Sequence, residues 1–358
     1  MSMKRTIPLI LAALAACASA HPNRYTRKAA QQSLTKLETP GLVIGEFVLT
    51  KVVDGDTIRV DGLDSSLRLL GLDTEETFKH PADYRPFESM PWDQYKKSVR
   101  GTSPRPVKFD TPMGMEAKKW AEDFFAGADK VRLERDDPKQ IRDRYNRYLA
   151  YVFVQKNGVW LNYNVEAVRA GMAPYFPKYG RSRRFHEDFV KAEAEAKAAK
   201  RGIWDPTKQA YDDYPEREAW WTARGDFVAA FEKAAEGKPN YVSMDDFDAT
   251  ERLEQMVGKE VVVLGTVGDI YIGDKGPTRV TLSHGQHSDF PLIFFDKDVF
   301  VQSGLDAWKG EWVMVTGTPS IYENKHTHKK QVQIVIDRAS QVQLSDVPGL
   351  KRPIAGAP

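Results

Sequence analysis

Residues Val52–Thr77 of the 358-residue chain read VVDGDTIRVDGLDSSLRLLGLDTEET. Two apolar runs in this stretch, VVDGDTIRV and LRLLGLD, predict two β-strands with polar groups near one end. The first run contains Asp54 and Asp56, and the second contains Arg68 and ends at Asp73. If the two strands pair, their side chains become neighbours across the sheet. The stretch therefore predicts a β-structure with a charged site at one end.

The residue types in this site favour chemistry on a phosphate ester. Closely spaced carboxylates raise one another's pKa unless a cation neutralises them. An oxygen-only cluster without Cys or His favours a hard cation, Ca²⁺ or Mg²⁺. An arginine beside such an ion, with Glu76 as a further carboxylate, is typical of a site for a phosphate ester. Asp-Gly pairs are also ordinary turn formers, so Asp54-Gly55-Asp56 by itself indicates a turn.

The order of three motifs resembles that of the staphylococcal nuclease (thermonuclease) family. The motifs are DGDT at Asp54–Thr57, LRLLGLDTEE at Leu67–Glu76 and RDRYNRYLAY at Arg142–Tyr151. The resemblance covers about Glu46 to Trp204, which is under half of the chain. It implies an OB-type β-barrel with helices, in the mainly β class with α, and hydrolysis of single-stranded DNA and RNA.

The resemblance also implies a Ca²⁺ site with few protein ligands. Asp56 and Asp73 would bind the ion through their carboxylates, and Thr74 through its backbone carbonyl. Asp54 would act on the ion through water. The family commonly has proline where this chain has Glu75, so an additional negative charge is expected near the ion.

Three residues would carry the chemistry by resemblance. Arg68 and Arg147 would bind the phosphate and stabilise the transition state, while Glu76 would act as general base or orienter for the attacking water. Each has a plainer alternative, since Arg68 can face solvent from its strand and Glu76 can be solvated. Arg142 and Arg144 compete with Arg147, and the motif match selects Arg147. Family members leave 3′-phosphates, so the same products are expected here.

Two tyrosines are candidates for substrate binding. Tyr175 and Tyr179 lie where related nucleases place tyrosines that stack on bases. Pro174 and Pro177 interrupt this segment, so packing within the loop is an equal alternative.

The N-terminal residues 1–20, MSMKRTIPLILAALAACASA, have the pattern of a secretory signal peptide. Their apolar run is too short to span a bilayer. Leu14–Cys17 resembles a bacterial lipobox and predicts a lipid anchor at Cys17, and cleavage before His21 is the alternative. Both predict export to the bacterial cell envelope or the medium, with membrane attachment only through that anchor. Cys17 is the only cysteine, which excludes an internal disulfide.

Composition and charge limit the classes of function. Hydrophobic residues make up 41% of the chain, which suits packed cores and not a disordered protein. The 52 Lys and Arg face 50 Asp and Glu, and loss of Lys4 and Arg5 with the leader leaves 50 against 50. A chain this close to neutrality needs local basic patches to bind nucleic acid. Arg181–Arg184 and Lys325–Lys330 are two such patches.

The sequence divides into successive segments. The leader is followed by a spacer, a nuclease-like domain, a helical connector, a second small OB-like β-barrel and a disordered tail. Their predicted bounds are 21–44, 45–206, 207–245, 246–345 and 346–358. Within the nuclease-like domain, the insertion Lys79–Pro112 has little periodicity and predicts an irregular surface segment.

The prediction of a second barrel depends on a repeated strand pattern. GKEVVVLGTV returns as GEWVMVTGTP, a pattern similar to bacterial OB-fold binding domains. A hairpin with Lys325, Lys329 and Lys330, near Tyr271 and Tyr322, could bind single-stranded nucleic acid. A solvated loop on a protein-binding domain is the equal alternative.

Three function classes compete. The first is a nuclease, the second a module that binds nucleic acid or protein without cutting, and the third an envelope interaction protein. The chain has every residue of the family's catalytic set, which favours the enzyme: Asp56, Arg68, Asp73, Glu76 and Arg147.

Overall fold

The computed structural model describes residues 41–128, 130–283, 289–325 and 327–350. The predicted signal peptide with Leu14–Cys17, and nearly all of the predicted spacer 21–44, lie outside these ranges. Within them, no helix is both long and apolar enough to cross a bilayer.

The N-terminal half of the chain forms a β-barrel. Its strands are β1 (Val43–Phe47), β2 (Leu49–Asp54), β3 (Thr57–Val60), β4 (Leu67–Leu69), β5 (Val131–Glu134), β6 (Tyr148–Lys156) and β7 (Val159–Asn162). They follow the order β1-β5-β6-β4-β3-β2, with β7 beside β6. Because β1 and β2 flank Val48 and pair with opposite edges of the sheet, they close the barrel. β4 and β6 run parallel.

The C-terminal half forms a second barrel. Its strands are β8 (Tyr241–Ser243), β9 (Val261–Tyr271), β10 (Thr278–Ser283), β11 (Phe290–Phe294), β12 (Trp312–Gly317), β13 (Pro319–Glu323), β14 (Lys330–Val335) and β15 (Val342–Leu344). β12 and β13 flank Thr318 and pair with β9 and β14, which closes this sheet in the same way. β11 and β14 run parallel. The fold is thus mainly β with α, with two OB-type barrels in succession, as predicted.

Helices connect and cover the barrels. They are α1 (Pro81–Glu88), α2 (Trp92–Arg100), α3 (Pro112–Phe125), α4 (Tyr163–Arg169), α5 (His186–Ala198), α6 (Tyr214–Ala235), α7 (Ala249–Gln255) and α8 (Lys297–Ser303). Helices α3, α4 and α5 contribute residues to the core of the first barrel, and α6 lies within the predicted connector 207–245. Thr111 caps α3 by accepting from the Gly114 amide at 3.0 Å, and Pro112 occupies its first turn. Gly171, at φ +74°, follows the end of α4.

The run VVDGDTIRV is a hairpin and not a single strand, which corrects the prediction. β2 ends at Asp54 and β3 begins at Thr57, and these two residues pair across the turn. Gly-Asp favours two-residue hairpin turns, so local turn chemistry overrides the apolar run. Because Thr57 also pairs with Arg68 in β4, the turn brings Asp56 to the same barrel end as Arg68.

The insertion Lys79–Pro112 is folded, which corrects the prediction of an irregular segment. It contains α1 and α2, whose aromatic rings form a cluster with centroids 4.3 to 6.1 Å apart. Contacts between rings stabilise this segment, and its helices, of 8 and 9 residues, are too short to give a sustained apolar periodicity in the sequence. The cluster consists of Phe78, Tyr84, Phe87, Trp92, Tyr95 and Phe109.

Helix α6 packs on both barrels. Trp221 meets Phe176 beside the first barrel, with ring centroids 4.8 Å apart. Phe231 packs with Leu264 and Trp312 of the second barrel. Aromatic residues of α6 therefore contact both barrels.

A buried ion pair joins α6 to the second barrel. Arg224 of α6 binds Glu311, and both side chains are about 1% exposed. Glu311 also binds Arg105 of the insertion and accepts from the Trp220 indole at 3.1 Å. One carboxylate therefore ties the second barrel to the connector and to the insertion.

The predicted tail 346–358 is described only as far as residue 350. Val347 is buried, and Leu350 packs on the core of the second barrel. Residues 351–358 lie outside the described ranges.

Candidate active site

Helix α4 fixes the turn between β2 and β3. The hydroxyl of buried Tyr163 donates to the Gly55 carbonyl at 2.7 Å. A Cβ at Gly55 would lie 2.6 Å from the Thr74 methyl group, so only glycine allows this close approach. Thr57 donates to the Asp56 carboxylate at 2.8 Å. The Asp56 side chain is thereby held in one orientation at the barrel end.

Arg68 lies between two aspartates. Its guanidinium, on β4, binds the carboxylates of Asp56 and Asp73, and all three side chains are nearly buried. Burial alone would raise the pKa of Asp56, but the charges of Arg68 and then Lys108 outweigh it and hold that pKa well below its ordinary value. Burial and the neighbouring Asp56 carboxylate raise the pKa of Asp54 to about 7. The site therefore combines a fixed guanidinium with a surplus of acidic groups.

Arg147 lies beside the start of β4. Strand β6 begins at Tyr148, which pairs with Leu67, so the preceding Arg147 is next to the strand of Arg68. Asp143 holds the Arg147 guanidinium at 2.7 Å and its amide at 2.9 Å. Arg142 is likewise engaged, with Asp64, and both Arg142 and Arg144 line the same cavity as Arg147.

Glu76 reaches the same cavity from the segment after Asp73. Its side chain is 30% exposed, and its backbone carbonyl accepts from the Thr111 amide at 3.1 Å. Helix α3 approaches it closely at Gly114, where a Cβ would lie 2.0 Å from the Glu76 carbonyl oxygen. The start of α3 therefore fixes the backbone that carries Glu76.

Lys108 is a site residue that the motifs did not predict. Its ammonium lies 2.7 Å from an Asp73 oxygen and 3.4 Å from a Glu76 oxygen. It belongs to the insertion Lys79–Pro112. The only signal in the sequence was its position just before the N-cap of α3.

The five residues of the predicted catalytic and metal-binding set line one cavity of about 510 Å³. They are Asp56, Arg68, Asp73, Glu76 and Arg147. The cavity continues to the second barrel, where Thr266 and Ser283 also line it. The first barrel thus supplies the charged floor of this cavity, and the second barrel supplies part of its wall.

Comparison with known proteins identifies the family. The family model described as "Staphylococcal nuclease homologue" matches residues 66–206. The thermonuclease of Staphylococcus hyicus is 31% identical over 163 residues, covering 44% of this chain and 75% of that relative. The chain belongs to the staphylococcal nuclease family. The thermonuclease of Staphylococcus intermedius is 30% identical over 171 residues, which are 46% of this chain and 79% of the relative.

A third relative shows a similar extent of similarity. An uncharacterized protein of Methanocaldococcus jannaschii is 31% identical over 160 residues, covering 44% of this chain and 70% of the relative. The family match ends at residue 206, before α6. The connector and the second barrel are therefore additions to the part that defines this nuclease family.

The donor atoms in this nuclease-family site suit a hard cation. Asp56 and Asp73 present carboxylate oxygens at one barrel end, both bound to Arg68, and the adjacent Thr74 is buried. Among the described residues, no group of three or more Asp, Glu, His or Cys side chains is arranged as metal ligands. Carboxylate oxygens completed by water are the donors that Ca²⁺ takes, so the chemistry of Asp56 and Asp73 fits this ion.

Glu75 does not lie near that site, which corrects the expectation of an additional charge beside the ion. Its carboxylate accepts from the Thr111 hydroxyl at 2.5 Å, the Tyr214 hydroxyl at 2.8 Å and the Tyr211 amide at 2.7 Å. Burial raises its pKa to about 7, although these three donors oppose the shift. Glu75 therefore binds the connector and does not line the cavity.

The two candidate tyrosines lie in different environments. Tyr175 is buried, and its ring stacks on Phe189 with centroids 4.9 Å apart. Its hydroxyl is 3.0 Å from His186 Nδ1, so this ring packs in the core and is not available to a base. Tyr179 is 55% exposed and lines the cavity.

The predicted hairpin surface of the second barrel is solvated. Tyr271 is 69% exposed and Tyr322 is 47% exposed, at the ends of β9 and β13. Lys330 is mostly exposed and lies 3.8 Å from Glu323. His328 contacts the same glutamate at 3.1 Å, and His326 lies outside the described residues.

Proposed function

We propose that this protein is a Ca²⁺-dependent nuclease that hydrolyses phosphodiester bonds in single-stranded DNA or RNA and leaves 3′-phosphates. One observation carries the proposal: a single cavity is lined by both arginines, the glutamate and both aspartates of the family motifs. Relatives that are named thermonucleases, at about 30% identity, support the activity.

The residues divide the work of hydrolysis. Arg68 and Arg147 bind the phosphate oxygens and stabilise the charge that develops as water attacks phosphorus, and such stabilisation usually lowers the barrier most. Glu76 accepts a proton from the attacking water, and the leaving 5′-oxygen takes one from solvent. Asp56 and Asp73, with the Thr74 carbonyl, would hold a Ca²⁺ ion, which would supply positive charge beside the phosphate.

Two features of the chain prepare the site for this reaction. The α4 tyrosine and the α3 N-terminus fix the backbone on both sides of the cavity, so little reorganisation is needed during the reaction. Burial also strengthens the interaction of Arg68 with an anion, because it keeps the guanidinium away from bulk water. Tyr179 lies in the cavity wall, where a base can stack on it.

The decisive experiment is digestion of a single-stranded oligonucleotide with Ca²⁺ and with EGTA, followed by identification of the product ends. We expect cleavage with Ca²⁺, none with EGTA, and 3′-phosphate ends. Binding without cleavage in Ca²⁺ would favour the alternative of a non-catalytic binding module. Cleavage that persists in EGTA would remove Ca²⁺ from the proposal.

The cellular location is a separate part of the proposal. The leader and Cys17 predict an exported protein tethered by lipid to the bacterial envelope. Expression of the full chain with radiolabelled palmitate tests this, with Cys17→Ala as the matched variant. Label in the wild type alone supports the anchor, and label in neither protein favours cleavage before His21.

A further inference from the structure

The cavity of the proposed nuclease site continues onto the second barrel, so any substrate role of that barrel rests on the proposed function. Its wall there includes Thr266 of β9, Ser283 of β10 and Trp312 of β12. These residues stand in a row, because Trp312 pairs with Thr266 and Thr266 pairs with Ser283. Paired residues on neighbouring antiparallel strands lie about 5 Å apart, so the two hydroxyl-bearing residues are adjacent.

Lys178 meets this row from the first barrel's side. Its backbone carbonyl accepts from the Trp312 indole at 3.2 Å and from Arg224 Nε at 3.0 Å. Its side chain lines the cavity, and its ammonium lies 4.2 Å from the centre of the Trp220 ring. The buried Arg224–Glu311 pair fixes this arrangement, since both residues belong to the joint between the barrels.

Lys178 differs from the catalytic cations in its charge environment. In the part of the chain that the structure describes, no carboxylate lies within ion-pair distance of its ammonium, whereas Arg68, Arg147 and Lys108 each bind an aspartate. Burial, and next the charge of Arg224, lower the pKa of Lys178 to about 7. An anion beside the ammonium would restore its proton. The environment therefore favours a negatively charged ligand.

Asp245 lines the same wall. Burial and then the neighbouring Asp246 raise its pKa to about 7, so its carboxyl opposes an anion less than an ordinary aspartate would. The hydroxyls of the row can donate hydrogen bonds to phosphate oxygens.

We infer that Lys178, Thr266 and Ser283 form a subsite for the phosphate of a nucleotide next to the cleaved one. The second barrel is then part of the substrate cleft, through the face it turns to the nuclease barrel. The exposed hairpin surface lies elsewhere on this barrel. Tyr271, which belongs to that surface, is five residues further along β9 than Thr266, about 16 Å at the rise of a strand.

Equilibrium binding of a fluorescent ten-nucleotide single strand in EGTA tests the subsite without any cleavage. For Lys178→Gln we expect about tenfold weaker binding, the value of one charge-assisted contact. The slope of log affinity against log salt should fall by about 0.7, because one phosphate contact is lost from a single strand. For the double variant Thr266→Val and Ser283→Ala we expect a loss of about threefold to tenfold.

Two controls separate binding from folding. Lys259→Gln removes an exposed lysine of the same barrel and should leave affinity and salt slope unchanged. Lys178→Arg keeps the charge and should retain most of the affinity, and thermal unfolding of each variant reports any change in docking. Unchanged affinity in Lys178→Gln, or in the hydroxyl double variant, overturns the inference. A wild type that binds the strand but does not cleave it with Ca²⁺ contradicts the proposed function. The binding comparison between the variants still tests the subsite in that case.

Discussion

The two barrels are closed in the same way but use a buried arginine–carboxylate pair in opposite ways. In the first barrel, Arg68 binds Asp56 and Asp73 in the floor of a cavity. At the second barrel, Arg224 and Glu311 are closed off from solvent, with each about 1% exposed. An arginine–carboxylate pair can take part in a reaction when a substrate can reach it. The same kind of pair joins two parts of the structure when it is closed off from solvent. Access to the cavity, more than residue type, separates the two roles.

The largest expected effect concerns the joint. Glu311→Gln should lower the free energy of unfolding by about 3 to 5 kcal/mol, because it leaves a buried guanidinium without its charge partner. Urea denaturation measures this. The surface pair Lys309–Asp269 of the same barrel is the control, and Asp269→Asn should cost less than about 1 kcal/mol.

A double variant tests the same buried ion pair. Replacing both partners by apolar residues, as in Arg224→Met with Glu311→Leu, should recover most of the lost stability. A single variant at Glu311 that unfolds like the wild type would contradict the role of this pair as the joint.

The pair in the first barrel should affect catalysis. Arg68→Lys keeps the charge but loses the planar fork that binds two oxygens at once, so we expect kcat to fall about 10²-fold. Initial rates on single-stranded DNA measure it. Arg59→Lys, on the neighbouring strand and exposed, is the matched control and should cleave like the wild type. Equal rates for the two variants would remove Arg68 from the mechanism.

A variant at Lys108 tests how the insertion affects Ca²⁺ binding at the first barrel. Its side chain is 41% exposed, and its ammonium lies 2.7 Å from Asp73, where it competes with a bound cation at about 1 kcal/mol, the value for a charge pair screened by solvent. Lys108→Met should therefore lower the Ca²⁺ concentration for half-maximal activity about fivefold. Lys79→Met, which removes a more exposed lysine 3.7 Å from Glu76, should change it less. An unchanged or higher Ca²⁺ requirement in Lys108→Met would contradict competition between this lysine and the ion.

The smallest effect is expected at the solvated hairpin. Lys329→Gln with Lys330→Gln should change the affinity for a single strand by less than about twofold, because the inferred phosphate subsite lies on another face of the barrel and exposed charges are screened by salt. A larger loss than that of Lys178→Gln would move the binding face of the second barrel to the hairpin.

The catalytic cluster could be predicted because its residues follow local rules. Asp56 lies in a turn, Arg68 on the next strand and Asp73 just beyond it, within 18 residues of the sequence. Neighbouring strands of a small barrel bring such residues together whatever the rest of the chain does. Helix α3 was predictable for a similar reason, since its Thr111 cap and its apolar periodicity are local.

The missed features depend on contacts between distant parts of the chain. Glu75 turns away from the site because Tyr211 and Tyr214, more than 130 residues later, bind its carboxylate. Lys108 reaches Asp73 only because the aromatic cluster folds the insertion. Thr266 lines the cavity only because a complete second barrel docks against the first. No periodicity or motif in the sequence records such contacts.

Two adjacent glutamates give the most direct test of the proposed hydrolytic centre. The Glu76 carboxylate lies in the cavity, whereas that of Glu75 is buried against the connector. Rates of cleavage of single-stranded DNA in saturating Ca²⁺ should fall about 10²-fold or more in Glu76→Gln and less than about threefold in Glu75→Gln, which retains an oxygen acceptor. Full activity in Glu76→Gln, or equal losses in both variants, would contradict a hydrolytic centre at this end of the first barrel.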